Sequence, residues 1–296
     1  MKLYANLHTH STHSDGGFSP RELARMAKWE GYGAVAVTDH DTATGYPELK
    51  DECDKLGLEC IFGVEFSAPS KLLAGKSQMA GEFHILGYHF DPEYPAMKEY
   101  LRQLSENEQH ITKTLFDEGI ERGTLAGVTW EEVLEHNKGI TWLCNEHVFK
   151  TMKDKGLLTD DDYQEFFKPN FSRSWLRVKP IYEFKLLDDM VDLIHDAGGI
   201  AILAHPTKDN VKHYDGILKT GIDGIEVWQP GTGIEEIFDI THEFALKNKL
   251  YISGGSDHSG ICSGLLKKGE VSKYPPCSIG TTKQYFEEIR DRCLYR

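Results

Sequence analysis

In the stretch LYANLHTH, residues 3–10, a short apolar run is followed directly by side chains that can ligate a metal ion. In an extended strand, side chains two residues apart point to the same face, so His8 and His10 can hold one ion between their imidazoles. By itself this HxH pair is weak support for a metal site, because the chain contains 14 histidines. The interpretation depends on whether other apolar runs end in the same way.

Short apolar runs predict seven β-strands, and helix-length amphipathic segments separate several of them. Among the predicted helices, Pro20–Glu30 has Ser19 as its N-cap and Gly31 as its stop. Alternating strands and helices are typical of an α/β protein with a largely parallel sheet. The predicted strands are Leu3–Leu7, Ala34–Thr38, Cys60–Phe66, Phe83–Tyr88, Ile200–Ala204, Gly224–Trp228 and Leu250–Ser253.

One region breaks this alternation. Between Pro95 and Lys179 the sequence predicts no strand, only charged helical stretches. We interpret residues 95–179 as a helical insertion within a core that is assembled from residues 1–94 and 180–296. The helices predicted for the insertion are Met97–Gly123, Thr129–Asn137, Asn145–Gly156 and Asp160–Phe167.

The composition excludes several classes of protein. With 40% hydrophobic and 27% charged residues, the 296-residue chain is neither disordered nor collagen-like. Its six cysteines lack CxxC spacing, so we expect free thiols rather than a zinc ribbon or a disulfide framework. No apolar stretch approaches the roughly 20 residues of a membrane span, and the amino terminus lacks a signal-peptide pattern. We therefore expect a cytoplasmic protein that does not enter a membrane.

The charge balance restricts the partners. Against 33 basic residues stand 47 acidic ones, a net charge of −14, which repels polyanions at long range. We expect no stable binding of long nucleic acids. A phosphorylated substrate would need locally concentrated positive charge, supplied by basic side chains or by metal ions.

Ligand-type side chains recur where the predicted strands end. In α/β proteins the loops at the carboxyl ends of parallel strands converge on one point, where ligands bind. A mixture of imidazoles and carboxylates suits zinc, manganese or iron, whereas calcium prefers oxygen ligands. The sequence thus predicts a metal centre. The side chains in question are His8, His10, Asp15, His40, Glu65, His84, His205, Asp257 and His258.

These motifs resemble the PHP (polymerase and histidinol phosphatase) domain of metal-dependent phosphoesterases over nearly the whole chain. The resemblance implies a distorted seven-stranded β/α barrel, in agreement with the number of predicted strands. The helical insertion is similar to that of the TrpH/YciV-like branch, which hydrolyses nucleotide 3′,5′-bisphosphates, nucleoside phosphates or RNA ends. The matching stretches are LHTHSTHSDGGFSP (7–20), VAVTDHDT (35–42), GVEFS (63–67), FHILGYH (83–89), LIHDAGGIAILAHP (193–206), GIDGIEVWQP (221–230) and SGGSDHSG (253–260).

The resemblance also implies which residues hold two or three divalent ions. His8, His10, Glu65 and Asp257 resemble the first metal site of the family. By the same resemblance, the second metal site consists of Glu65, His84 and His205, with Glu65 as the bridging residue. The third consists of Asp15, His40 and His258. The family usually reads Ser-Asp-x-His-Gly at the last motif, whereas here His258 directly follows Asp257. That departure places the third ion in question.

The implied reaction is hydrolysis of a phosphate ester by a metal-bound hydroxide. His40 and His205 are interpreted either as metal ligands or as proton donors to the leaving oxygen. Asp39, Asp41 and Glu226 are interpreted either as hydrogen-bond partners of ligating imidazoles or as structural residues.

For the substrate, the resemblance points to residues of the insertion. The branch commonly has Arg-Pro-His where this chain has Asn145-Glu146-His147, and a similar Lys-Pro-x-Tyr at Lys179. We predict phosphate contacts by His147 and Lys179, followed by Arg173 and Arg177, and a preference for small phosphorylated metabolites, nucleotides above all. Two other functions stay open: an amidohydrolase acting on a C–N bond and a non-catalytic PHP module.

Overall fold

The computed structural model describes residues 3–73, 82–172, 174–228, 234–257 and 279–294, and within them the strands form two sheets. The first sheet is parallel and has three strands, in the order β1-β2-β3. The second has five, in the order β4-β5-β6-β7-β8. The strands are β1 (Ala5–Asn6), β2 (Ala34–Val35), β3 (Glu59–Cys60), β4 (Gly63–Pro69), β5 (Glu82–Tyr88), β6 (Ile200–Leu203), β7 (Gly224–Trp228) and β8 (Tyr251–Gly254).

The predicted third strand, Cys60–Phe66, is in fact two strands that belong to different sheets. β3 pairs with β2, whereas β4 pairs antiparallel with β5, from Gly63 opposite Tyr88 to Pro69 opposite Glu82. β5 is also antiparallel to β6, and only β6, β7 and β8 run parallel in this sheet. The prediction of a largely parallel sheet is therefore wrong for two pairs of strands, β4 with β5 and β5 with β6. A parallel pair needs a crossover, usually a helix, and the sequence predicts no helix between the third and fourth runs.

Backbone hydrogen bonds join the two sheets at two places. Beyond β2, the Glu65 amide donates to the Thr38 carbonyl at 3.2 Å, and the Asp41 amide donates to the Glu65 carbonyl at 2.9 Å. Beyond β1, the Leu7 amide donates to the Gly254 carbonyl at 3.1 Å. The fold is thus mixed α/β, with eight described strands in two sheets, and the predicted seven-stranded barrel is not confirmed.

The helices largely follow the sequence prediction. At α1, Ser19 and Glu22 form a capping box, Pro20 is the first helical residue, and Gly31 ends the helix with φ = 91°. None of the described helices is long and apolar enough to span a membrane. The helices are α1 (Pro20–Glu30), α2 (Tyr46–Leu56), α3 (Pro95–Glu121), α4 (Trp130–His136), α5 (Asn145–Asp154), α6 (Tyr163–Asn170), α7 (Ser174–Arg177), α8 (Leu187–Asp196), α9 (Tyr214–Leu218), α10 (Ile234–Asn248) and α11 (Lys283–Arg290).

Helices α3 to α7 lie between β5 and β6 in the chain and contain no described strand. Met97, Tyr100 and Leu104, in the first half of α3, belong to the hydrophobic core that packs β4 to β8 against α8 and α10. From Leu115 onward, these helices share a second hydrophobic core. Its buried members are Leu115, Phe116, Leu125, Val128, Trp130, Val133, Leu143, Val148, Phe149, Met152, Tyr163, Phe166, Phe171 and Val178.

Cysteines in the described residues are free thiols, as the sequence predicts: Cys53, Cys60, Cys144 and Cys293. The other two, Cys262 and Cys277, lie outside the described residues.

Candidate metal centre

Four side chains from three parts of the chain converge on one point. His8 and His10 follow β1, and their Nε2 atoms are 3.2 Å apart. Glu65, in β4, places Oε2 at 3.1 Å from His8 Nε2 and 3.0 Å from His10 Nε2. Asp257, three residues beyond β8, places Oδ1 at 3.2 Å from His10 Nε2. This is the set predicted for the first metal, and its ligand atoms lie within 4.8 Å of one another.

The second oxygen of Glu65 faces two further histidines. Oε1 is 2.9 Å from Nδ1 of His84, in β5, and 2.9 Å from Nε2 of His205, which follows β6. The two ring nitrogens are 3.1 Å apart. Nδ1 of His40 lies 3.4 Å from Glu65 Oε2. The buried Glu65 carboxylate therefore stands between two groups of histidines, as the bridging position requires.

A third group adjoins the first. His10, Asp15 and His40 bring one ligand-type atom each within 4.8 Å of one another. Asp15 Oδ1 is 3.6 Å from His10 Nδ1, and the rings of His10 and His40 stack with centroids 4.4 Å apart. His258, the remaining residue predicted for this site, lies outside the described residues.

The donor set fits divalent cations. Two of its buried atoms, His10 Nδ1 and Glu65 Oε2, have no hydrogen-bond partner, although imidazole nitrogens surround Glu65 Oε2. Leaving a buried carboxylate oxygen unpaired is costly, and a cation between Glu65 Oε2 and the surrounding ring nitrogens would use the free electron pair of that oxygen. Imidazoles combined with carboxylates suit zinc, manganese or iron.

Burial and neighbouring charges shift the pKa values of the side chains in this cluster. Burial lowers the pKa of His40 to about 4, which keeps its imidazole neutral. For His8 burial acts in the same direction, but the carboxylates of Glu65 and Glu226 prevail and raise its pKa well above the usual value. Against the effect of its own burial, the neighbouring imidazoles of His8, His40 and His84 hold the pKa of Glu65 well below the ordinary range. Glu65 is therefore an ionised carboxylate at neutral pH.

Glu226, in β7, orients two of the candidate ligands. Its fully buried carboxylate lies 3.1 Å from His8 Nδ1, which leaves Nε2 of that ring directed at Glu65. It also accepts a hydrogen bond from the backbone amide of His205 at 2.7 Å. His205 has φ = 25° and Asp257 has φ = 50°, a strained region for residues other than glycine. Of the two interpretations of Glu226, the structure supports the partner of a ligating imidazole.

For Asp39, which neighbours His40, the structure does not support the role of a hydrogen-bond partner of a ligating imidazole. Asp39 accepts hydrogen bonds from the Ser11 amide at 2.6 Å, the Ser11 hydroxyl at 2.7 Å and the Ser14 hydroxyl at 2.7 Å. It therefore holds the loop that carries Asp15 rather than an imidazole. Asp41 is buried, its Oδ1 has no hydrogen-bond partner, and burial raises its pKa to about 8.

The predicted phosphate contacts do not assemble at the cluster. His147 is buried; its Nδ1 accepts from the Cys144 amide at 3.0 Å, and its Nε2 lies 3.1 Å from the Thr12 carbonyl. Both ring nitrogens are thus occupied, which argues against a phosphate contact. Arg177 pairs with Glu118 and with the Asn170 carbonyl. Lys179 is exposed, and Arg173 lies outside the described residues.

A cavity of about 440 Å³ opens beside Asp15 and His40. The rest of its lining comes from the insertion, and Trp142 packs its ring 5.9 Å from that of His40. The sequence interpretation missed this lining, because the aromatic residues of α6 follow a helical spacing that also fits a buried core. The lining residues are Asp15, His40, Glu108, Trp142, Cys144, Asn145, Glu146, Tyr163, Gln164 and Phe167.

Curated relatives that hydrolyse phosphate esters are similar to this chain over two thirds or more of its length. A 3′,5′-nucleoside bisphosphate phosphatase of Chromobacterium violaceum is 26% identical over 285 residues, which are 92% of this chain and 92% of that protein. The 5′-3′ exoribonuclease Rnm of Salmonella typhimurium is 30% identical over 203 residues, 68% of this chain and 64% of that protein. The two relatives thus differ in the size of their substrates.

A solved structure of a protein from Bifidobacterium adolescentis shares the fold. It superposes with a TM-score of 0.74 at 21% identity and covers 98% of this chain and 96% of its own. The family model for the PHP domain matches residues 6–194, which include all the candidate ligands except His205, Asp257 and His258. The chain belongs to the PHP domain family and is a hydrolase of phosphate esters.

Proposed function

We propose that this chain hydrolyses phosphate esters of small metabolites, nucleotides above all, with two or three divalent ions held around Glu65. The observation that carries the proposal is the convergence of five histidines, from four separate segments, on both oxygens of one buried carboxylate. His8 and His10 face one oxygen, and His84 and His205 face the other. His40 lies on the first side, at 3.4 Å.

This geometry supports the three ligand sets that the resemblance implies. The first site consists of His8, His10, Glu65 and Asp257, and the second of Glu65, His84 and His205. The third consists of Asp15 and His40, joined by His258 as the resemblance implies. When bound, manganese, iron or zinc ions lower the pKa of water and offset the charge of a phosphoryl group.

The chain's own residues keep these ligands in place. Glu226 fixes the His8 ring and the His205 backbone, and Asp39 fixes the loop of Asp15 through Ser11 and Ser14. We assign His40 and His205 as ligands rather than as proton donors, because a ring nitrogen of each is directed at Glu65.

Two broader expectations belong to the same proposal. The hydrogen bonds from Glu65 to Thr38 and from Leu7 to Gly254 support a distorted barrel in which the two sheets act as one ring. The free thiols of Cys53, Cys60, Cys144 and Cys293 support a reducing, cytoplasmic location.

The test combines a metal count with a phosphate-release screen. The protein is prepared with manganese, its metal content is measured by elemental analysis, and inorganic phosphate release is followed before and after chelation. We expect two or three ions per chain and loss of phosphate release with chelator. Metal binding without turnover of any phosphate ester would favour the non-catalytic module, and release of an amine from amide substrates would favour the amidohydrolase.

A further inference from the structure

The cavity beside Asp15 and His40 contains an arrangement that the metal centre does not use. Two carboxylates, Glu108 of α3 and Glu146 of α5, share it with the aromatic rings of Trp142, Tyr163 and Phe167. Its volume of about 440 Å³ is within the usual range of small-molecule sites. Because Asp15 and His40 form its floor, a ligand here would adjoin a phosphoryl group at the metal centre.

Neither carboxylate has a lysine or arginine partner within the described parts of the chain. Glu146 accepts hydrogen bonds from Asn145 Nδ2 at 2.7 Å and from the Tyr163 hydroxyl at 2.5 Å. Glu108 accepts one from the Thr112 hydroxyl at 3.2 Å. Burial, reinforced by Glu146, raises the pKa of Glu108 to about 7. Carboxylates in such surroundings gain most from a ligand that brings N–H donors or positive charge.

The aromatic side chains add a second requirement. The rings of Tyr163 and Phe167 stack with centroids 5.8 Å apart and an interplanar angle of 16°, and both line the cavity. Trp142 lines it next to His40. Aromatic rings favour contact with a flat, conjugated group, as in the binding of nucleobases.

We propose that this cavity binds the leaving group of the ester and selects a nucleoside whose base presents adjacent N–H donors, as guanine does, to Glu108 and Glu146. The proposal rests on the proposed phosphoesterase activity and names its substrate more narrowly. A carboxylate that accepts from two neighbouring N–H groups forms a strong, charge-assisted pair. An aminoalkyl phosphate offers the same N–H chemistry without a flat ring.

The same carboxylates disfavour a second phosphate in the leaving group. Asp15, Glu108 and Glu146 line one cavity, and neither lysine nor arginine occurs among its described lining residues. At the position where the similar branch has Arg-Pro-His, this chain places Asn145 and Glu146, which exchanges a positive charge for a negative one. A nucleoside monophosphate is therefore the better substrate, and a 3′,5′-bisphosphate meets like charge.

The experiment compares kcat/KM of the manganese-loaded protein for five esters. Guanosine 5′-monophosphate carries both N–H donors, inosine 5′-monophosphate lacks the exocyclic amine, and guanosine 3′,5′-bisphosphate adds a phosphate. Phosphoethanolamine supplies an amine without a ring, and p-nitrophenyl phosphate supplies a flat ring without N–H donors. The variants are Glu108→Gln and Glu146→Gln, which keep the side-chain shape. Glu165→Gln, an exposed position on α6, is the matched control.

We expect wild type to prefer guanosine 5′-monophosphate over the other four esters. Each of the two cavity variants should lose about tenfold in kcat/KM for that substrate, because a charge-assisted acceptor is removed. For p-nitrophenyl phosphate the loss should stay within about twofold, and the bisphosphate should gain at least about threefold, because one repelling charge is gone. The Glu165 variant should match wild type.

The outcomes separate the two proposals. If wild type releases phosphate from none of the five esters, p-nitrophenyl phosphate included, the proposed function fails. If wild type is active, three results would overturn the leaving-group site alone: equal losses on all esters in the cavity variants, preference for the bisphosphate, or preference for phosphoethanolamine. Thermal unfolding of each variant, matched to wild type, shows that the comparison concerns folded protein.

Discussion

The metal cluster and the cavity beside it lie side by side but are built from different structure. Ligands of the cluster come from β4 and β5 and from segments that follow other strands, and buried carboxylates such as Glu226 and Asp39 hold them. The cavity takes its remaining walls from helices and loops that lie between β5 and β6 in the chain. The cluster can recognise any phosphoryl group, whereas the walls differ from those expected for the similar branch. The two proposals therefore assign chemistry and selectivity to different parts of the chain.

The largest effect should come from breaking the centre of the cluster. Glu65→Gln removes the charge that faces histidines on both sides, and we expect phosphatase activity to fall by about three orders of magnitude or more. Metal content should fall with it. Activity is measured with p-nitrophenyl phosphate, and metal content is measured by elemental analysis. The control is Glu135→Gln, at an exposed position on α4, which should behave like wild type. Wild-type rates in the Glu65 variant would refute the assigned centre.

A smaller loss should follow at the support of the cluster. Glu226→Gln keeps the shape of the side chain but weakens its hold on the His8 ring and the His205 amide. Such partners of ligating histidines typically contribute about 10- to 100-fold in metal affinity. We expect a loss of that size in a manganese titration, with activity partly restored at high manganese. A variant that binds manganese like wild type would show that Glu226 serves only the fold.

The cluster was predictable because strand periodicity and strand ends constrain side chains strongly. His8 and His10 had to share a face, and the strands that carry His84 and Glu65 were recognised as apolar runs. The direction of pairing between β4 and β5 was not predicted. The sequence predicts no helix between Glu65 and His84, and this is the signal that favours an antiparallel pair. The PHP resemblance supplied the grouping of the ligands, which spacing alone could not.

The cavity was less predictable because its walls depend on how helices pack. Glu108 lies in the middle of α3, where a charged residue usually faces solvent, and Tyr163 and Phe167 have the spacing of core residues. His147 was chosen as a phosphate contact from its motif position alone. In the fold the same ring bonds the Cys144 amide and lies beside the Thr12 carbonyl. A motif position fixes where a side chain starts but not what its polar atoms meet.

A change at His147 distinguishes support of the cavity from contact with substrate. His147→Ala removes a buried ring that accepts from the Cys144 amide at the start of α5 and lies beside the Thr12 carbonyl of the metal-bearing loop. We expect it to lower the free energy of unfolding by about 2–4 kcal/mol. Its effect on kcat/KM should be the same for a nucleotide and an aryl phosphate, because the ring touches neither. Urea unfolding and paired kinetics measure the two quantities. A selective loss on bisphosphorylated nucleotides would restore the original prediction of a phosphate contact.

The smallest effect should come from Lys179, the other residue predicted to contact phosphate. Its side chain is exposed, and it is absent from the lining of the cavity, whereas Glu108 and Glu146 are part of that lining. A phosphate at the metal centre would attract an exposed lysine only weakly, because solvent and salt screen charges that are not in contact. We expect Lys179→Ala to change kcat/KM by no more than about twofold for mono- and bisphosphorylated nucleotides. The measurement is most informative at low ionic strength, where any remaining attraction is largest. A loss of tenfold or more that disappears at high salt would mean that Lys179 reaches the substrate when it binds, and the cavity would then contain the cation that its described lining lacks.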